Sequence, residues 1–239
     1  MKTVFYDLLN WLFPLQCFRC QKKDFLAKKI GLCKSCYSQK SRPAKETPPS
    51  FCPVCHSPLE DSCRYCNSRN IFFEKLFFLS YRNQLEKEII QRIKFSNIGN
   101  LRYFFRTGLK KHIRELKNLE LQAIIPVPSN LKTIKERPYR SCEVLEKDLS
   151  KFLQIPILRP VQKTSKELQS GKTYRERFLH AYSAFSIANS FQGKLLGSYL
   201  IIDDVFTTGA TINEIARLLL QNGAEKIYVL VLSRGQDQK

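Results

Sequence analysis

Four Cys-x-x-Cys pairs crowd the first 66 residues: Cys17/Cys20, Cys33/Cys36, Cys52/Cys55 and Cys63/Cys66. Two residues between sulfurs let both thiolates reach one ion, and two such pairs complete a tetrahedron. The stretch around them is punctuated by cysteine, proline and serine and shows little hydrophobic periodicity. It cannot fold on a core of its own, so bound metal is the natural source of its folding energy. Pairing neighbours gives one site from the first two pairs and a second from the last two. A crossed arrangement, first with third and second with fourth, satisfies the same chemistry. With four sulfurs per ion the sites are closed, which makes zinc structural. Fourfold regularity argues against redox-active or merely buried cysteine. His56, beside Cys55, is not needed as a ligand, and the ninth cysteine, Cys142, falls on a predicted helix as a small buried hydrophobe.

The chain's 239 residues have room for one ordinary domain and a small satellite, which divides it into a cysteine-rich head, 1–70, and a domain, 71–239. Hydrophobic content of 43% and seventeen Phe suffice for a packed core. The formal charge is +19. Two zinc tetrathiolates would still leave about +15. Residues 1–180 hold 35 Lys and Arg against 16 Asp and Glu, whereas 181–239 hold five of each. An excess of this size invites an anionic partner, nucleic acid above all. The apolar stretch Val4–Leu15 has helical spacing, but Asp7 and Asn10 interrupt it, and it is too short to span a bilayer. It reads as a helix packed on its own protein. Cysteine pairs that hold metal fit a reducing, cytoplasmic location.

Beyond Ser41–Ser50, a proline-rich connector, Ile71–Tyr81 reads as a Phe-rich strand. Gln84–Phe95 and Ile98–Leu116 are helical by apolar spacing. Then strand and helix alternate: Leu121–Val127 strand, Ser141–Leu153 helix, Leu200–Asp203 buried strand, Ile212–Gln221 helix, Lys226–Leu232 strand. The last has the near-continuous apolar run of a strand inside a parallel sheet. Alternation of this kind gives a doubly wound α/β sheet.

The most informative run is Leu200-Ile-Ile-Asp-Asp-Val-Phe-Thr-Thr-Gly-Ala-Thr211. A buried strand carries Asp203 and Asp204 to the carboxyl edge of the sheet, where open α/β folds bind ligands. Thr207, Thr208, Gly209, Ala210 and Thr211 follow, and then a helix begins. Small residues expose backbone N–H groups, threonines add hydroxyls, and a helix N-terminus favours a dianion. A phosphate suits the loop and vicinal sugar hydroxyls suit the carboxylates, so the run describes a ribose 5-phosphate site. It lacks the Gly-Lys-Ser/Thr of a P-loop, which disfavours an NTPase.

This run resembles the phosphoribosyltransferase signature, and the whole layout resembles the ComF/GntX family. Cysteine pairs stand at the N-terminus, Pro126-Val127-Pro128 follows a strand, and Gln169, Arg177 and Phe185 match a later family segment. The family's Arg-Gly-Tyr-Asn-Gln reads here as Arg137-Pro138-Tyr139-Arg140-Ser141, and its later Asn is His180. A proline there fixes φ and removes a donor. The resemblance implies a type I phosphoribosyltransferase-like sheet that binds 5-phosphoribosyl-1-diphosphate with Mg²⁺. Asp203 and Asp204 would hold the ribose hydroxyls, Thr207 to Thr211 the 5-phosphate, and Val127, Pro128 and Ser129 the diphosphate. It further implies either phosphoribosyl transfer or retained binding alone, together with handling of incoming single-stranded DNA alongside other DNA-uptake proteins.

Two further stretches bear on function. Arg159–Lys172 is polar and basic, with Lys163, Lys166 and Lys172 able to clamp a diphosphate under a lid. Residues 82–117 carry ten Lys and Arg with Tyr103, Phe104 and Phe105 interleaved, a composition that suits single strands unless those aromatics are core. The competing reading of the chain is a zinc-headed nucleic-acid adapter whose sugar-phosphate pocket is vestigial.

Overall fold

The computed structural model describes residues 16–40, 51–52, 54–57, 59, 63, 66, 70–95, 101–128, 143–164 and 184–235. Two short helices, α1 (Phe25–Ile30) and α2 (Lys34–Ser38), precede β1 (Lys75–Tyr81), α3 (Gln84–Phe95), α4 (Arg102–Lys117) and β2 (Leu121–Pro126). After them come α5 (Glu143–Leu153), β3 (Val161–Lys163), β4 (Phe185–Ile187), β5 (Ser198–Phe206), α6 (Ala210–Gln221) and β6 (Lys226–Arg234). Four strands form a parallel sheet in the order β1-β6-β5-β2. The expected parallel α/β sheet is therefore what forms, with β6 in its interior.

Both faces of the sheet are covered, which is why β5 and β6 are apolar on successive residues and do not alternate. One face carries Phe77, Leu79, Ile124, Leu200, Ile202, Leu230 and Leu232, packed with apolar residues of α3, α4 and α5. The other carries Leu76, Phe78, Ala123, Ile125, Ile201, Val229 and Val231, packed with Ile212, Ile215, Ala216 and Leu219 of α6. Gly108 lets α4 lie directly on β1: a Cβ there would stand 2.8 Å from the Leu79 carbonyl oxygen.

The described cysteines do not sit apart from these layers. Cys17, Cys33 and Cys36 belong to the cluster on the first face, and Cys52, Cys55 and Cys63 to that on the second. The Gln39 carbonyl accepts from Asn83 Nδ2 at 3.2 Å, and the Lys40 ammonium donates to the Phe104 carbonyl, which fastens the first knuckle to α3 and α4. Leu76 N–H donates to the Val54 carbonyl at 2.9 Å, fastening the second to β1.

Several boundaries differ from the sequence reading for local reasons. β1 starts at Lys75, because the Phe72 N–H is taken by the Asn213 side chain at 2.9 Å. β5 runs on through Phe206, because β6 continues to Arg234 and pairs Val205 with Ser233 and Phe206 with Arg234. Within the stretch read as a lid, β3 pairs antiparallel with β4, from Val161–Ile187 to Lys163–Phe185. Residues 165–183, between those strands, lie outside the described residues, as do the Val4–Leu15 helix and the 41–50 connector. No helix among the described residues is long and apolar enough to cross a membrane.

Candidate functional site

The cysteines gather as neighbours, Cys17, Cys20, Cys33 and Cys36 in one group and Cys52, Cys55, Cys63 and Cys66 in the other, which removes the crossed alternative. The sulfurs of each group lie within 4.8 Å of one another. A tetrahedron with Zn–S near 2.3 Å has edges of roughly 3.8 Å. Cys20 and Cys33 stand at 3.6 Å, Cys52 and Cys66 at 3.7 Å, and Cys55 lies 3.5 Å from Cys63 and 3.6 Å from Cys66. The donor sets fit zinc in number, softness and spacing. Burial pushes the Cys36 thiol up to about 12 and the Cys55 thiol up to about 11. A dication among them supplies the attraction that makes such thiols thiolates.

The two knuckles repeat one backbone turn. Cys17 N–H donates to the Lys22 carbonyl at 3.0 Å and Gln21 N–H to the Cys17 carbonyl at 2.9 Å. In the second, Cys52 N–H donates to the Ser57 carbonyl at 2.8 Å and His56 N–H to the Cys52 carbonyl at 2.9 Å. Gln21 (φ 60) and His56 (φ 54) take the same left-handed corner. His56 thus makes the turn, and its ring packs edge-on against Phe78 with centroids 4.9 Å apart, in keeping with its omission from the ligands.

The other candidate chemistry lies at the β5–α6 junction. Asp203 and Asp204 lie in the last four residues of β5, and three successive positions, 203 to 205, are only part-buried where the strand had been fully covered. Asp204 N–H donates to Asp203 Oδ1 at 2.8 Å, which fastens one carboxylate oxygen to the adjoining backbone. Gly209 caps α6 at φ 67, a conformation that favours glycine, and it brings no capping side chain. Ala210 N–H reaches Thr208 Oγ1 at 3.4 Å. The first-turn N–H groups of a helix so capped attract an anion.

Parallel pairing brings the end of β2 alongside. Pro126 registers with Ile202, and Val127 N–H donates to the Ile202 carbonyl at 3.0 Å, so Val127 and Pro128 stand next to the acidic pair. Lys163 ends β3, half-buried, and desolvation lowers its ammonium below the ordinary lysine range. Phe185 is buried in the second core cluster. Ser129, Arg137–Ser141, Cys142, Lys166, Gln169, Lys172, Arg177 and His180 lie outside the described residues.

The aromatics read as a stacking candidate turn inward: Phe104 and Phe105 are buried and Tyr103 is half-buried. Phe104 packs edge-on against Tyr37 of the first knuckle, centroids 5.8 Å apart, and Phe105 packs edge-on against Phe104. Among the described residues the exposed aromatic is Phe25, 82% accessible at the start of α1. Arg19, Lys22, Lys23, Lys28, Lys29 and Lys34 are exposed around it in the same knuckle. Sequence reasoning passed over this residue, although an aromatic inside a lysine-rich run that cannot build a core was the available signal. It also passed over Arg234, a charge closing an apolar strand.

No family model matches the chain. Among curated proteins, Competence protein F of Haemophilus influenzae is 31% identical over 236 residues, covering 93% of this chain and 98% of that protein. Competence protein ComFC of Bacillus subtilis is 28% identical over 198 residues, covering 80% and 79%. DNA utilization protein YhgH of Escherichia coli strain K12 is 28% identical over 213 residues, covering 85% and 90%. Among solved structures, adenine phosphoribosyltransferase from Saccharomyces cerevisiae aligns over 56% of this chain and 68% of its own at 19% identity. The TM-score of that alignment is 0.36.

Proposed function

The chain belongs to the ComF family of competence proteins, and we propose that it binds 5-phosphoribosyl-1-diphosphate with Mg²⁺ and acts on single-stranded DNA during uptake. The observation that carries the first half is the β5–α6 junction: two adjacent carboxylates run directly into a threonine loop and a glycine-capped helix. Carboxylates accept from the vicinal ribose hydroxyls, and the loop amides and hydroxyls of Thr207 to Thr211 donate to the 5-phosphate. Val127 and Pro128, at the neighbouring strand end, flank the space for the diphosphate. Mg²⁺, held through Asp203 or Asp204 and the diphosphate, would neutralise part of the ligand's charge. The names of the relatives, two competence proteins and a DNA utilization protein, support a role with DNA.

Thermal shift of the intact chain tests the pocket. 5-Phosphoribosyl-1-diphosphate with Mg²⁺ is expected to raise the melting temperature. Diphosphate or ribose 5-phosphate alone is expected to do so less, because each fills half the site. Equal melting with and without the full donor would sink this reading and leave the zinc-headed adapter.

A separate observation supports the nucleic-acid half. Phe25 offers an exposed ring framed by lysines, and a base stacked on an aromatic contributes about 1–3 kcal/mol. Phe25→Ala is expected to weaken binding of an oligo-dT strand by roughly 5- to 150-fold in fluorescence anisotropy. Lys28→Glu with Lys29→Glu should flatten the log–log salt slope, by about 0.7 for each phosphate that is no longer neutralised. Unchanged affinity in Phe25→Ala would move the DNA surface away from the first knuckle.

A further inference from the structure

Arg234 closes β6 and is 2% exposed. Its Nε donates to the Cys55 carbonyl at 2.8 Å, its Nη2 to Ser57 Oγ at 2.9 Å, and its Nη1 to the Gly235 carbonyl. The guanidinium lies over the Phe206 ring, 5.5 Å from its centroid. Gly235 N–H in turn donates to the Phe206 carbonyl at 2.8 Å, and a Cβ at position 235 would stand 3.3 Å from that oxygen. Cys55 is a ligand in the second sulfur group and Ser57 closes its turn. Phe206 is the residue that launches the Thr207–Thr211 loop. One side chain therefore grips the second knuckle and the start of the loop together.

The far end of the loop is held in the same way. Asn213, buried one turn into α6, accepts from Phe72 N–H at 2.9 Å and donates to the Asn70 carbonyl at 2.8 Å. Asn70 follows the last cysteine of the second group by four residues. Both flanks of the loop are thus hydrogen-bonded to residues within the stretch of the second sulfur group or just beyond it. A tetrathiolate zinc site carries a net negative charge, and a buried guanidinium beside it gains from that field. The planar fork of Arg satisfies several acceptors in fixed directions, which a lysine ammonium cannot do.

We propose that Arg234 is a positioning residue through which metal in the Cys52, Cys55, Cys63, Cys66 group sets the Thr207–Thr211 loop. The second metal site is then coupled to the anion pocket, and the coupling runs in both directions. The proposal rests on reading that loop as the phosphate site, but loop order can be measured without any phosphoribosyl ligand.

Hydrogen exchange of the full chain is compared among wild type, Cys66→Ser, Arg234→Met and the double variant, with β2 amides as internal control. Cys66→Ser is expected to speed exchange across residues 206–213 by about tenfold while Arg234 is present. Arg234→Met is expected to do the same with both metals retained, and the double variant to add little beyond either. Arg234→Lys, which leaves every ligand in place, should give an intermediate rate and faster release of one zinc to a chelating dye. A purely structural arginine would speed exchange in β2 as well. Loop exchange that stays at the wild-type rate in Arg234→Met and Arg234→Lys would overturn the proposal. If 5-phosphoribosyl-1-diphosphate with Mg²⁺ binds wild type and Arg234→Met equally, the coupling falls and the pocket stands. If the exchange cycle is non-additive but no variant binds that ligand, the coupling stands and the pocket reading falls.

Discussion

Stripping both zinc ions from this protein is expected to abolish its cooperative unfolding as a whole, whereas Cys17→Ser or Cys55→Ser, each losing one ion, should lower the melting midpoint sharply and leave a folded sheet. Protein purified without chelator should carry close to two zinc ions per chain, and each variant close to one. Cys17, Cys33 and Cys36 are part of the core cluster on one face of the sheet, and Cys52, Cys55 and Cys63 part of the other. Structural zinc contributes on the order of 10–16 kcal/mol in zinc-finger peptides, against a net stability of about 5–15 kcal/mol for a whole domain. Loss of both ions therefore exceeds what the remaining contacts supply, while loss of one, with the other layer still covered, weakens the fold without abolishing it. It also leaves buried thiols without a cation and strips the cover from one layer of Phe77 and Leu79 or of Leu76 and Phe78. Circular dichroism melts with metal analysis check this. A Cys17→Ser protein that keeps the wild-type midpoint would instead establish residues 1–70 as a folding unit separate from the sheet, the division the sequence suggests.

Asp203→Asn with Asp204→Asn should erase stabilisation by 5-phosphoribosyl-1-diphosphate while leaving the unliganded fold standing. Ligand at one hundred times its dissociation constant adds about 2.7 kcal/mol, which for a chain of this size is about 5–10 °C in melting temperature. The substitutions remove two charges and keep the shapes. Both positions are part-buried at the open end of β5, so asparagine amides are readily hydrated there. Thr208→Val should reduce the shift without removing it, because backbone N–H groups still face the phosphate. Isothermal calorimetry on the same proteins separates lost binding from lost stability. An undiminished shift in the double variant would place the ligand elsewhere on the molecule.

How much of this was legible beforehand depended on the range of the interactions concerned. Helix α3 falls at the predicted Gln84–Phe95 because its apolar stripe is a local, periodic property. The strand, loop and helix at Leu200–Thr211 were readable for a similar reason: acids, threonines and glycine follow one another along the chain. Strand β3 was not readable, since three residues with one apolar side chain become a strand only by pairing with β4, more than twenty positions away. Phe104 and Phe105 were ambiguous as core or stacking residues until α4 docked on β1, because period alone does not say which solvent a face meets.

The sequence by itself determined the chemistry of the metal groups, since Cys-x-x-Cys spacing fixes the reach of two sulfurs wherever the chain goes. It determined the acid-and-threonine junction and the parallel sheet beneath it on the same local grounds. Tertiary structure decided which pairs stand together where an ion could be held, because the crossed and neighbouring arrangements satisfy identical bonds and only the docking of each knuckle on its own sheet face selects one. It also decided what Arg234 touches. A buried guanidinium finds its acceptors where the folded backbone puts them, at Cys55 and Ser57, 179 and 177 positions away along the chain, and no local pattern encodes that meeting.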